Sequence, residues 1–145
     1  MANVHDVAAY ILKVRSPMTA MKLQKLVYYC QAWSLVWDDA PLFSERIEAW
    51  ANGPVVRELY EQHRGAFKLK QLKLGNPDAL SGTERETVDA VLGFYGDKPS
   101  QWLSDLTHQE APWRDARKGI APGASCDREI TPAAMVEFYG ALAAR

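Results

Sequence analysis

The sequence predicts a mainly α-helical protein, one compact domain over residues 1–145, built as a bundle of six or seven helices with room for a short two-stranded β element. Three observations carry this. Apolar residues recur at the helical period in separate stretches along the whole chain. Five of those stretches open on a residue suited to capping a helix: Asn3, Thr19, Ser81, Ser100 and Thr131. Only one brief segment, Ile47 to Trp50, alternates as a strand would.

Taken in order, Asn3 caps a first helix whose apolar positions are Val4, Val7, Ala8, Ile11, Leu12 and Val14, and Ser16-Pro17-Met18 stops it. Thr19 caps the second helix, Ala20 to about Trp37. Its one face carries Leu23, Leu26, Val27, Cys30, Ser34 and Trp37, while Tyr28, Ala32, Leu35 and Val36 cluster opposite. A helix apolar on both sides must be covered on both sides, by its own domain or by a partner. Lys22 in its first turn and Asp38-Asp39 at its end oppose the helix dipole, at about 0.3–1 kcal/mol each when exposed.

After Pro41-Leu42-Phe43 re-enters the core, the strand-like segment reaches Trp50, and Asn52-Gly53-Pro54 reads as a turn leading into a helix with Pro54 at its first position. Val55, Val56, Leu59 and Tyr60 form that helix's stripe, and Gly65 ends it. Residues 66–80 read as a solvated lip, with Lys68, Lys70 and Lys73 among leucines. Ser81-Gly82-Thr83-Glu84 is a capping box opening a helix with Val88, Val91, Leu92 and Tyr95 inward. Ser100 caps a shorter helix, Pro112 interrupts it, and Trp113 to Lys118 adds a turn or two. Residues 120–130 form a loop, with Asp127–Ile130 available as a strand. Thr131-Pro132 starts the last helix, in which Met135, Phe138, Tyr139 and Leu142 face inward.

Composition narrows the class. A chain 48% hydrophobic and 24% charged has the balance of a soluble globular domain, and the net charge of −1 argues against broad phosphate binding. That charge is unevenly spread: residues 1–75 carry ten Lys/Arg against seven Asp/Glu, and residues 76–145 carry seven against eleven. Complementary surfaces meeting within one fold account for such an imbalance, and a basic face for an acidic partner is the sharper alternative. Two cysteines, Cys30 and Cys126, and no signal-peptide pattern fit the cytoplasm better than an oxidising compartment, and no segment has the length and apolarity of a membrane span.

Searches for chemistry return little. His5, His63, His108, Cys30 and Cys126 lie far apart, without CxxC, HxxxH or HExxH spacing, so no metal is expected. No phosphate-cradling glycine loop and no nucleophile elbow is present, so no cofactor is expected either. His108 and Glu110, two apart, do not face each other on a helix, and no nucleophile accompanies them. His108 reads instead as a ring satisfying buried backbone beside the Pro112-Trp113 corner, and Trp50 and Trp113 read as core. Glu58 and Glu61 beside Arg57 and Arg64 argue against a DNA-reading helix.

The order of motifs resembles one known family. Met21-Lys22-Leu23-Gln24-Lys25-Leu26-Val27-Tyr28-Tyr29, then Pro41-Leu42-Phe43, Glu48-Ala49-Trp50 and Gly53-Pro54-Val55, then Thr107-His108-Gln109-Glu110-Ala111-Pro112-Trp113 and Ala116-Arg117 resemble the SocA-like Panacea domain, which includes phage-associated GepA-like proteins. The resemblance implies a non-enzymatic antitoxin that neutralises a cognate protein toxin, encoded by the adjacent gene, by direct binding. The alternative it implies is an adaptor handing a toxin or host protein to the ClpXP protease; an enzyme is a distant third.

For the partner-binding surface, the second helix offers Lys22, Gln24, Lys25, Tyr28 and Gln31, polar heads around an aromatic anchor. The corner of His108 and Trp113, with Arg114 and Arg117, stands next in line.

Overall fold

The computed structural model describes residues 2–145, and among them seven helices and five short strands form one hydrophobic core. Helix α1 (Val4–Arg15) begins at Asn3, whose side chain accepts from the Asp6 amide while the Asp6 carboxylate accepts from the Asn3 amide. Strand β1 (Met18–Thr19) leads directly into α2 (Ala20–Trp37), where Thr19 caps the Lys22 amide as its position predicts.

Helix α2 is the axis of the molecule. Every residue from Leu23 to Ser34 is buried, and α1, α4, α5, α7 and β3 all pack against it. The second apolar face foreseen in the sequence is thus covered by the chain itself. Asp38, set against the dipole, accepts from the Thr87 hydroxyl and so has a local reason for its place.

Strands β2 (Ile47–Trp50) and β3 (Gly53–Val55) form a hairpin, with Glu48 opposite Val55 and Trp50 opposite Gly53. Strand β5 (Glu129–Ile130) pairs on the other side of β2, giving the order β3-β2-β5. The expected helix start at Pro54 is therefore wrong: Pro54 lies on the edge strand, where its missing N–H breaks no ladder. Helix α3 (Arg57–His63) begins later, after Val56, and Gly65 at φ 85° follows its end.

Residues 66–80 also depart from the lip expected of them. Lys68–Leu69 form β4, antiparallel to β1, with Met18 opposite Leu69, and the Ala20 amide donates to the Phe67 carbonyl at 2.9 Å. A two-residue pairing is too short to show a period in sequence.

Helix α4 (Gly82–Tyr95) opens on the capping box of Ser81 and Glu84 and buries Val88, Val91, Leu92 and Tyr95. Helix α5 (Ser100–Gln109) starts one residue earlier than the Ser100 cap requires, on Pro99, without a side-chain cap. Helix α6 (Ala111–Ala116) follows at the Pro112 break, and α7 (Pro132–Ala143), capped by Thr131, buries Met135 and Tyr139. The ion pairs Lys13–Asp78 and Arg15–Asp97 join the basic half of the chain to the acidic half.

Candidate functional site

The first turns of α2, the β2–β3 hairpin, α3 and the loops at 65–67 and 125–127 enclose a cleft of about 910 Å³. Its walls are largely apolar and aromatic: Met21, Trp50, Val55, Tyr60 and Phe67. A concave, mostly apolar site of this size is the usual form of a small-ligand pocket.

At the base lies Lys25. It is 1% exposed, yet among the described residues its ammonium makes no ion pair. Burial alone lowers its pKa from the usual lysine value to about 8. Gly53 makes that placement possible. At φ 127° it occupies backbone that favours glycine, and a Cβ there would collide with Lys25 Cε. The hairpin therefore lies directly on the lysine stem.

The groups around Lys25 are neutral or already engaged. Gln24 Oε1 accepts from the Val56 amide at 2.9 Å, and its Nε2 reaches the Val56 carbonyl at 3.2 Å and His63 Nε2 at 3.0 Å. This double bond to backbone fixes the amide's orientation, so His63 Nε2 is the acceptor and its Nδ1 carries the proton. Burial and the Lys25 charge both lower the His63 pKa, which keeps the ring neutral. Burial likewise lowers His108, which faces the Asn52 backbone and stacks on Trp113 with ring centroids 4.0 Å apart. Its Nε2 is buried without a partner.

The nearest acid on the hairpin, Glu48, is itself buried. It accepts from Trp50 Nε1 at 2.8 Å, and pairs with Arg57 at 3.2 Å and Arg46 at 3.4 Å. Its single charge is shared between the two arginines, and Arg57, half-exposed over the Trp50 ring, is a second cation on the cleft wall. Asp127, on an exposed loop, is the one carboxylate lining the cleft.

The structure redistributes the residues read from sequence as a partner surface. Gln24, Lys25, Tyr28 and Gln31 are not an exposed rim; all four are at most 3% exposed. The helical period places them on the second face, but the rest of the chain closes over that face. Gln31 matches Gln24 two turns on: its Oε1 accepts from the Leu42 and Phe43 amides and its Nε2 donates to the Phe43 carbonyl at 2.8 Å. Both glutamines clip irregular backbone to α2.

Arg117 is buried and donates to the Ala49, Ala121 and Ala124 carbonyls, so it braces β2 against the loop before β5. Trp113 Nε1 donates to the Trp50 carbonyl at 2.8 Å. Arg114 is exposed, and Lys22, like His108 and Trp113, is half-buried. Trp50, read as core, is a half-buried wall of the cleft, packed edge-on against Tyr60.

One turn along α2 from Lys25, a second buried ionisable group is closed off. Glu110 Oε1 accepts from Tyr29 and Tyr139, each at 2.7 Å, and the Tyr139 hydroxyl meets that of Tyr28 at 3.0 Å. Burial raises the Glu110 pKa while the two phenols oppose the rise, and burial drives the tyrosine values far above the ordinary phenol range. Tyr29 also stacks on Tyr95 at 4.1 Å. This cluster ties α2, α4, the α5–α6 corner and α7 together.

Sequence reading missed His63, Tyr60, Phe67 and Asn52 as cleft residues, because three separate segments supply them: α3, the loop at 65–67 and the hairpin turn. The available signal was a lysine inside an otherwise apolar run, with a Gly-Pro turn able to lie over it. Among the described residues no His, Cys, Asp and Glu side chains converge as a metal site, and no helix is long and apolar enough to cross a membrane.

Fold and site together define a mainly α-helical domain wrapped around one buried helix, with a cleft where that helix meets a β-hairpin. The chain belongs to the family described as antitoxin SocA-like, Panacea domain, which matches residues 23–114. That span holds α2 from Leu23 onward, the hairpin, the cleft lysine and Glu110. Comparisons with curated proteins and with solved structures return no match.

Proposed function

We propose that this protein is a cytoplasmic antitoxin that neutralises a cognate protein toxin, the product of an adjacent gene, by binding it directly. The family supports the antitoxin role. The observation that carries the binding mode is the apolar lip of the cleft: Phe67 is 78% exposed and Met21 42%. Large apolar side chains held outward on paired backbone are the ordinary anchors of a protein interface. Phe67 stands on such backbone, because its carbonyl accepts from Ala20 beside the β1–β4 pair. Lys22 and Arg114 are members of the sequence-derived surface that remain accessible to a partner.

The test is co-expression of the neighbouring gene with this one. Growth arrest by the neighbour alone, relieved by the wild-type chain and not by Phe67→Ser, together with co-purification of the two proteins, is the expected result. Relief without any complex, accompanied by loss of the toxin from the cell, would replace blocking with delivery to a protease such as ClpXP.

A further inference from the structure

We infer that the cleft is a binding site for a small carboxylic acid with an apolar body, its carboxylate paired with the Lys25 ammonium. This goes beyond toxin binding and does not depend on it. Two observations converge on it. A lysine 1% exposed lines a cavity of about 910 Å³ and has no ion-pair partner among the described residues. A buried cation without a counter-charge is costly, and an incoming anion removes that cost. The neighbours that feel its charge, His63 and His108, offer no negative charge, and the acid of the hairpin, Glu48, lies outside the cleft lining and is held by Arg46, Arg57 and Trp50.

The walls choose the rest of the ligand. Trp50, Tyr60, Met21 and Phe67 offer aromatic and apolar surface between the base and the mouth. A bare inorganic anion would leave that surface wet, whereas an aryl or alkyl body covers it. Asp127 at the mouth repels a second negative charge, which favours a monoacid.

The experiment titrates the full chain with 3-phenylpropionate and with its neutral counterpart 3-phenylpropionamide, read by calorimetry. The acid is expected to bind about ten-fold or more tightly than the amide, as a charge-assisted contact in a buried site does. Lys25→Met should erase that preference without lowering the melting temperature. The wild-type comparison of acid with amide stands even if the variant misfolds. Equal affinities in the wild type, a preference that survives Lys25→Met, or no saturable binding of either compound would overturn the assignment. A third arm uses N-acetyl-alanyl-phenylalanine: binding ten-fold tighter than 3-phenylpropionate would overturn a small acid in favour of a partner's chain end.

Discussion

Lys25 and Tyr29 stand one turn apart on α2, and the two ends of that turn treat buried charge in opposite ways. Above, the Glu110 carboxylate receives two phenolic hydroxyls and the cluster is sealed by stacked rings. Below, the Lys25 ammonium has no counter-ion among the described residues, and the hairpin that covers it leaves a cleft beside it. A satisfied buried network contributes to a unique packing of the core, whereas an unpaired buried charge subtracts from stability. The difference separates scaffold from candidate site: the tyrosine–carboxylate cluster holds four elements together, and the lysine cleft carries a buried charge at a cost in stability.

The comparison is broken most severely at Glu110. Glu110→Ala should cost about 3–5 kcal/mol, because the Tyr29 and Tyr139 hydroxyls lose their acceptor in the interior. Glu110→Gln keeps an acceptor and should cost about 1–2 kcal/mol. Urea unfolding of the pair measures both, and equal losses would mean the hydroxyls find other partners.

Gly53→Ala comes next, at about 2–4 kcal/mol, from a left-handed backbone position and a collision with Lys25 Cε. In the background of Lys25→Ala the steric part should vanish and only the backbone part remain. Additive losses in the double mutant would remove the stem from the explanation.

Lys25→Met carries the opposite sign: a gain of about 1–3 kcal/mol at pH 7, since an apolar side chain replaces an uncompensated charge. The pH dependence sharpens it. Between about 8, where the folded amine loses its proton, and the ordinary lysine value near 10.5, the unfolded chain binds more protons than the folded one. Wild-type stability therefore rises through that window relative to Lys25→Met, and the variant's advantage shrinks. Melting curves of both proteins from pH 7 to 10 give the difference directly, free of the Cys30 and tyrosine titrations the two share. A constant gap would contradict a depressed lysine.

The smallest effect on stability belongs to Phe67→Ser, within about 0.5 kcal/mol for an exposed side chain, yet it should abolish protection from the toxin. A chain that melts like the wild type and still protects would move the interface away from this lip.

Much of the scaffold was legible in the residues because it rests on local rules. Thr19, Ser81 and Thr131 cap the helices they were expected to cap, the strand at Ile47–Trp50 lies where alternation placed it, and the stretch Asp127–Ile130, named as available for a strand, supplies β5. The errors share one cause. Pro54 satisfies the rule for a helix start and equally that for an edge strand, and only pairing with Ala49 decides between them. Periodicity put Gln24, Lys25, Tyr28 and Gln31 on one face of α2 correctly, but it does not say whether that face meets water or backbone. The two glutamines meet backbone from Leu42, Phe43 and Val56, contacts that no window along α2 contains.

By itself the sequence determined the mainly helical class, the caps at Asn3, Thr19, Ser81 and Thr131, the apolarity of α2 on both faces and the family, since capping, hydrophobic period and motif order are written in neighbouring residues. Only the tertiary structure decided which polar groups on that axis are satisfied. Glu110 is 81 residues from Tyr29 and finds it, while Lys25 finds no acid among the described residues. Pairing of a buried charge depends on which distant segments arrive at the same point, and that is settled by the packing of all seven helices together.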